Sequence, residues 1–111
     1  MENNANIGDV VICAFPFEDN PKKRKLRPAV ILDINARGLV VLSLKVTSKP
    51  PRSKYDYELV GWDLTGLHKK STVRSNKEEI ILRSDVAKPI GSLTVDDFEM
   101  VKTLYYESHK I

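Results

Sequence analysis

The sequence predicts a mainly β fold, a small, strongly bent antiparallel sheet or barrel with a single helix packed against it at the C-terminal end. Three observations carry that expectation. Short runs of β-branched and apolar residues recur over most of the chain, turn chemistry separates two of them at Asn35-Ala36-Arg37-Gly38, and only the last segment changes to helical spacing.

Residues 9–16, 28–34, 39–46, 55–60, 71–74 and 79–83 read as strands. The runs 10–15 and 29–32 are apolar at consecutive positions, so each fits a strand packed on both faces. Between them, residues 22–27 form a basic loop holding Lys22, Lys23, Arg24, Lys25 and Arg27. Pro28 disfavours helix at Arg27 and holds its guanidinium where the second strand begins. Asn35 and Gly38 tolerate the positive φ that a hairpin needs, so 28–34 and 39–46 should pair antiparallel. Residues 61–70, broken by Gly61 and Gly66, leave room for one helical turn. Thr94 can cap a terminal helix whose first turn carries Asp96 and Asp97 beside the exposed amides. Leu93 and Phe98 fit a hydrophobic staple, and Phe98, Val101, Leu104 and Tyr105 recur at the spacing of a core face. There is no internal repeat, low-complexity tract or linker.

A chain of 111 residues suits one domain over 1–111 with one core. At 41% hydrophobic and 30% charged it reads as a soluble globule, and no apolar run approaches the ~20 residues of a membrane helix. The start, MENNAN, lacks a signal peptide's charged and apolar regions, so a cytoplasmic location is expected. Cys13, the one cysteine, cannot form an intrachain disulfide and reads as a buried, inert thiol. One Cys and two His cannot assemble four zinc ligands without recruiting carboxylates, so neither metal nor cofactor is expected.

The net charge of +3 hides an asymmetry: residues 22–77 stand at +10 and the remainder at −7. The cations gather in segments that read as loops: Lys22, Lys23, Arg24, Lys25 and Arg27; then Lys45, Lys49, Arg52 and Lys54; then Lys69, Lys70, Arg74 and Lys77. If these converge they form a phosphate-binding groove; otherwise they are ordinary charged surface loops. Other residues divide the same way. Thr47 and Ser48 either serve a site or cap a strand end before Lys49-Pro50-Pro51. His68 either titrates in a site or is a solvated loop residue, and His109 lies near the chain end. Phe15, Phe17, Tyr55, Tyr57 and Trp62 can stack bases, although Phe15 and Trp62 also suit a core or a dimer contact.

Gly8-Asp9-Val10-Val11 opens a strand, Arg27-Pro28-Ala29-Val30 opens a later one and Thr47-Ser48 ends a third. In these motifs the chain resembles the MazF/PemK (Kid) family of bacterial toxins. GLHKKSTVR, residues 66–74, is similar to the family's GL-K-S-VR region, and Ile90-Gly91-Ser92-Leu93-Thr94 precedes the terminal helix. In order and spacing these motifs span nearly the whole chain. The resemblance implies a small SH3-like barrel, a homodimer, a cognate antitoxin, and a metal-independent endoribonuclease cutting single-stranded RNA, in particular mRNA. It implies catalysis by Arg27 and Thr47, with Ser48 in the same polar strand end. Two departures stand out: the loop before Arg27 is Pro-Lys-Lys-Arg-Lys instead of Gly- and Ser-rich, and no glutamate closely precedes Arg27.

The chemistry agrees with those residue types. Cleavage through RNA's own 2′-hydroxyl needs alignment, charge stabilisation and proton movement, with no protein nucleophile. Arginine offers a fixed donor fork for phosphate and threonine a hydroxyl that reorients as charge grows. With a pKa above ~12, arginine suits charge stabilisation better than proton abstraction, which leaves the base unassigned. The expected RNA contacts are Lys22, Lys23, Arg24, Lys25, Lys49, Arg52, Lys54, Lys69, Lys70 and Arg74. Two alternatives remain: a gyrase poison resembling CcdB, which the Arg-Pro and Thr-Ser pairs disfavour, and a noncatalytic nucleic-acid-binding barrel.

Overall fold

The computed structural model describes residues 5–16, 19, 20 and 22–110. Six strands form one antiparallel sheet: β1 (Asp9–Pro16), β2 (Arg24–Ile34), β3 (Val40–Thr47), β4 (Asp56–Glu58), β5 (Thr72–Leu82) and β6 (Val86–Ser92), ordered β4-β5-β3-β2-β1-β6. A single helix, α1 (Val95–Ser108), follows. Mainly β with a C-terminal helix is the class expected. Register shifts within the β1/β6, β2/β3 and β3/β5 pairs supply the bulges that bend such a sheet.

The sheet is not closed by hydrogen bonds, since its edges β4 and β6 are unpaired with each other. Backbone packing covers part of that gap. A Cβ on Gly66 would overlap the Ile90 carbonyl, and one on Gly91 would overlap the Thr65 carbonyl, so the β4–β5 loop lies directly on β6. Gly66 also has φ +84°, a second reason for glycine there.

Both faces of the central strands are buried, as their consecutive apolar residues predict. Val11, Cys13, Phe15, Ala29, Ile31 and Val41 pack with Ala5, Ile81 and Val86 on the first face. Val10, Val30, Leu32, Leu44 and Val46 pack on the second, beneath Val101 and Phe98 of α1. Thr94 caps α1 by accepting from Asp97 N–H at 3.2 Å, and Leu93 and Phe98 share the second cluster, as the staple requires. Asn35 Oδ1 accepts from the amides of Leu39 and Val40, each at 3.0 Å, which seals the hairpin with Gly38 at φ +72°.

Three elements differ from expectation. β2 begins at Arg24, not residue 28, because its basic half pairs with β1 from Cys13 opposite Arg27 to Pro16 opposite Arg24. The segments 71–74 and 79–83 are one strand, β5, in which a bulge lets the polar residues 75–77 pass without a partner on β3. β6 was not expected as a strand; it holds Pro89 and Gly91 and is tolerated as an edge. In residues 61–70 the helical turn is Trp62–Leu64.

Candidate nucleic-acid interface

The first face changes character along its strands. Positions that carry Cys13, Ala29, Ile31 and Val41 in the core continue, two residues at a time, to Lys25 and Arg27 on β2 and to Lys45 and Thr47 on β3. The β2/β3 register ends at the Ala29–Lys45 pair, with Arg27 two residues before it on β2 and Thr47 two residues beyond it on β3. Across β3, Lys45 pairs with Arg74 and Thr47 with Thr72. Alternation therefore delivers cations and hydroxyls to one end of the sheet whose other end is apolar.

Two grooves meet there. The first, of about 500 Å³, lies over the first face and is bounded by Phe15, Lys25, Arg27, Lys45, Thr47 and Arg74, with Asp19, Lys49 and Arg52 at its rim. The second, of about 740 Å³, reaches the opposite face through Ile12, Leu26, Pro28, Val46 and Ser48, and is walled by Leu67, His68 and Lys69 of the β4–β5 loop and Lys88 of β6. Lys25, Arg27, Pro28, Val46, Thr47 and Lys49 belong to both. Among the described residues, no carboxylate lines the second groove and Asp19 is the one carboxylate lining the first.

The two residues at this junction are differently held. Arg27 is exposed and its guanidinium has no hydrogen-bond or ion-pair partner among the described residues. Thr47 Oγ1 accepts from Lys49 N–H at 3.2 Å, which fixes the oxygen while leaving its proton to donate elsewhere. Arg74 is steadied by Asp56 across the β4/β5 pair: its Nε lies 3.5 Å from Asp56 Oδ1, and Asp56 Oδ2 accepts from Arg52 N–H at 3.0 Å.

Of the basic residues expected at the interface, Lys25, Lys49, Arg52, Lys69 and Arg74 reach a groove. Lys22 and Lys23 are exposed and line neither. Arg24 faces Asp85 at 3.5 Å, Lys70 faces Glu58 at 3.4 Å and Lys54 sits 5.1 Å above the Tyr55 ring, all outside the grooves. Arg24, Lys25, Arg27 and Arg74 lie on strands and not in loops: the first three pair with β1, and Arg74 pairs with Lys45 of β3 and Asp56 of β4. Lys88 and Asp19 had no motif to mark them. Phe15 is 4% exposed yet edges the first groove, Trp62 packs in the second cluster, and Tyr57 donates to Asp97 Oδ1 at 2.7 Å. Phe17 lies outside the described residues.

Cys13 is fully buried, and burial, with Asp85 adding to it, pushes its thiol up to about 12. It is a core residue without nucleophilic character at neutral pH. Among the described residues no three His, Cys, Asp or Glu side chains gather as a metal site, and no helix is long and apolar enough to cross a membrane.

A family model described as "PemK-like, MazF-like toxin of type II toxin-antitoxin system" matches residues 6–105. No curated protein sequence matches the chain. Solved structures match its fold. A mycobacterial endoribonuclease aligns at TM-score 0.74 and 15% identity, covering 97% of this chain and 93% of its own. MazF of Deinococcus radiodurans aligns at 0.74 and 18%, covering 96% of each. A mycobacterial endoribonuclease in complex with its cognate antitoxin aligns at 0.72 and 15%, covering 94% of each.

Proposed function

The chain belongs to the PemK-like, MazF-like toxin family of type II toxin-antitoxin systems, and on that premise we propose that it is a sequence-specific endoribonuclease that cuts single-stranded RNA. One observation carries the reading: Arg27, unpartnered among the described residues, and a positioned hydroxyl, Thr47, stand on neighbouring strands where two cationic grooves meet. A strand of RNA laid from one groove to the other passes that junction. Fold neighbours named endoribonucleases support the same reading.

In this reading Arg27 binds the phosphoryl oxygens at the scissile position and Thr47 donates its hydroxyl proton to the same group. Both contacts strengthen as negative charge grows, which is the condition for accelerating the step. Ser48 faces the second groove and contacts the next nucleotide. Lys25, Lys49, Arg52, Lys69 and Arg74 neutralise flanking phosphates, so binding weakens as salt rises. Metal independence is supported by the described side chains of the second groove, whose charged and hydroxyl groups are cations, Thr47, Ser48 and Ser71 and not the clustered carboxylates a two-metal site needs. The active species is a homodimer of one-domain subunits in the cytoplasm. Its antitoxin covers the cationic grooves with an acidic segment and competes with RNA for them.

The test is single-stranded RNA of mixed sequence incubated with purified protein in excess chelator. Cleavage should persist and leave a 2′,3′-cyclic phosphate and a 5′-hydroxyl, and a 2′-deoxy nucleotide at the mapped site should abolish it. Cutting of the deoxy substrate overturns 2′-hydroxyl attack. Binding of RNA without cleavage, or inhibition of a gyrase, would replace the nuclease reading altogether.

A further inference from the structure

The cleavage proposed above needs a group that accepts the 2′-hydroxyl proton, and neither Arg27 nor Thr47 is suited to it. A guanidinium remains protonated throughout the physiological range. A threonine hydroxyl is no base near neutrality. The second groove narrows the choice. Among the described residues, the charged side chains facing it are Lys25 and Arg27 from β2, Lys49 beyond β3, Lys69 from the β4–β5 loop and Lys88 from β6, all of them cations, and no described carboxylate joins them. His68 is the single imidazole on its wall.

Its placement is built into the fold. His68 is the second residue after Gly66, whose backbone is pressed against the Ile90 carbonyl of β6. That contact fixes the loop across the sheet edge and brings residues 67–69 to the same groove as Thr47 and Ser48. His68 is exposed and has no hydrogen-bond or ion-pair partner among the described residues, so no structural task occupies its ring nitrogens. The other histidine, His109, is bound to Tyr105 and Glu78 and lines neither groove.

We propose that His68 is the proton acceptor of the cleavage reaction, a catalytic residue reached from the second groove. This rests on the reading of the chain as an RNA-cleaving enzyme. The step balances without a co-reactant. A ring nitrogen of His68 takes the 2′-hydroxyl proton, the freed oxygen pair forms the bond to phosphorus, and the bond from phosphorus to the 5′-oxygen breaks. That oxygen leaves with its electron pair and takes a proton from solvent to become the 5′-hydroxyl. The surrounding lysines hold the phosphates on either side. Asp19, on the first groove, is the rival acceptor.

The experiment measures single-turnover cleavage of a mixed-sequence single-stranded RNA by wild type, His68→Ala, His68→Gln, Asp19→Asn and Arg27→Ala, with and without free imidazole. His68→Ala and His68→Gln should each lose on the order of 10²-fold or more in rate, the usual scale of general-base catalysis. Added imidazole should raise the His68→Ala rate in proportion to its concentration and leave Arg27→Ala unchanged. Asp19→Asn should stay within a few-fold of wild type. The proposal is overturned if His68→Gln cuts at the wild-type rate, if imidazole does not rescue His68→Ala, or if Asp19→Asn is the variant that fails. A wild-type protein that cuts no RNA removes the nuclease reading itself, an outcome distinct from any pattern among the variants.

Discussion

Asp56 Oδ1 stands 3.5 Å from Arg74 Nε, with the carboxylate side chain 1% exposed and the guanidinium 25% exposed. Neither of the two atoms makes a hydrogen bond, so the contact is a charge pair without a straight N–H···O geometry. It ties the edge strand β4 to β5 and aims Arg74 at the first groove. Arg74 is thereby both a structural residue and a candidate phosphate contact.

Arg74→Ala should therefore lose stability as well as RNA affinity. Removing the guanidinium leaves the buried Asp56 carboxylate without its counter-charge, with the Arg52 N–H still donating to Oδ2. The cost should approach about 3 kcal/mol, the lower end for a broken buried pair because Arg74 is partly exposed. Asp56→Asn/Arg74→Ala should recover part of it. Denaturant unfolding of the single and double variants decides this, and equal stability of Arg74→Ala and wild type would show the pair to be energetically idle.

Arg27 gives the opposite expectation. It is exposed and unpartnered among the described residues, so the stability of Arg27→Ala should lie within about 0.5 kcal/mol of wild type, as for surface substitutions. Its cleavage rate should nevertheless fall on the order of 10²-fold or more. Thr47→Ala should be damaging but milder, since Arg27 and the flanking cations remain. A folded Arg27→Ala protein that cleaves RNA at the wild-type rate would remove the assignment.

The difference between these two arginines also shows where the sequence was legible. Arg27 announced itself through Pro28 and the apolar run behind it, a local pattern with a local cause. Arg74 was expected as an RNA contact, but nothing local showed what holds it in place, because Asp56 is 18 positions away and only the β4/β5 pairing brings them together. The same holds for the walls of the grooves. Lys88 sits in Val86–Ser92, a strand whose Pro89 and Gly91 argue against one and which exists because β1 offers an open edge. His68 reads as a solvated loop residue until Gly66 and Gly91 are seen to bring the loop onto β6. Periodicity and capping fix elements from neighbours in the chain, whereas a groove depends on which elements meet.

Asp97 provides a stability test of that distinction. Its place in the first turn of α1 is what the helix dipole favours, yet its carboxylate is 1% exposed and accepts from Tyr57 O–H at 2.7 Å, Val60 N–H at 3.2 Å and Gly61 N–H at 2.8 Å. Asp97→Ala strands three donors, each worth about 1–3 kcal/mol when left unsatisfied, so a loss of about 3 kcal/mol or more is expected. Tyr57 reports the same event. Burial first, and then its bond to Asp97, push the phenol from 10.0 up to about 12. In Asp97→Ala its spectrophotometric titration should move part of the way back, because burial remains. An unshifted Tyr57 would mean that Asp97 does not hold it.

The end of α1 should carry a pH-dependent share of stability through His109. Its Nδ1–H donates to the Tyr105 carbonyl at 2.9 Å and its Nε2 faces Glu78 on β5, an arrangement in which both ring nitrogens bear protons. The Tyr105 carbonyl, and after it Glu78, raise His109 above its ordinary value of 6.5. A raised value means that the folded state holds the proton more tightly than the unfolded chain does. The stabilisation is then full below about pH 6.5, where both states are protonated, and is lost as pH rises through the folded value. Wild type and His109→Gln should thus differ in Tm below about pH 6.5 and converge as pH rises above the folded value, with Glu78→Gln showing the same convergence. A difference that persists unchanged across that range would assign the contact to packing on the Tyr105 ring, whose centroid lies 4.3 Å away, and not to charge.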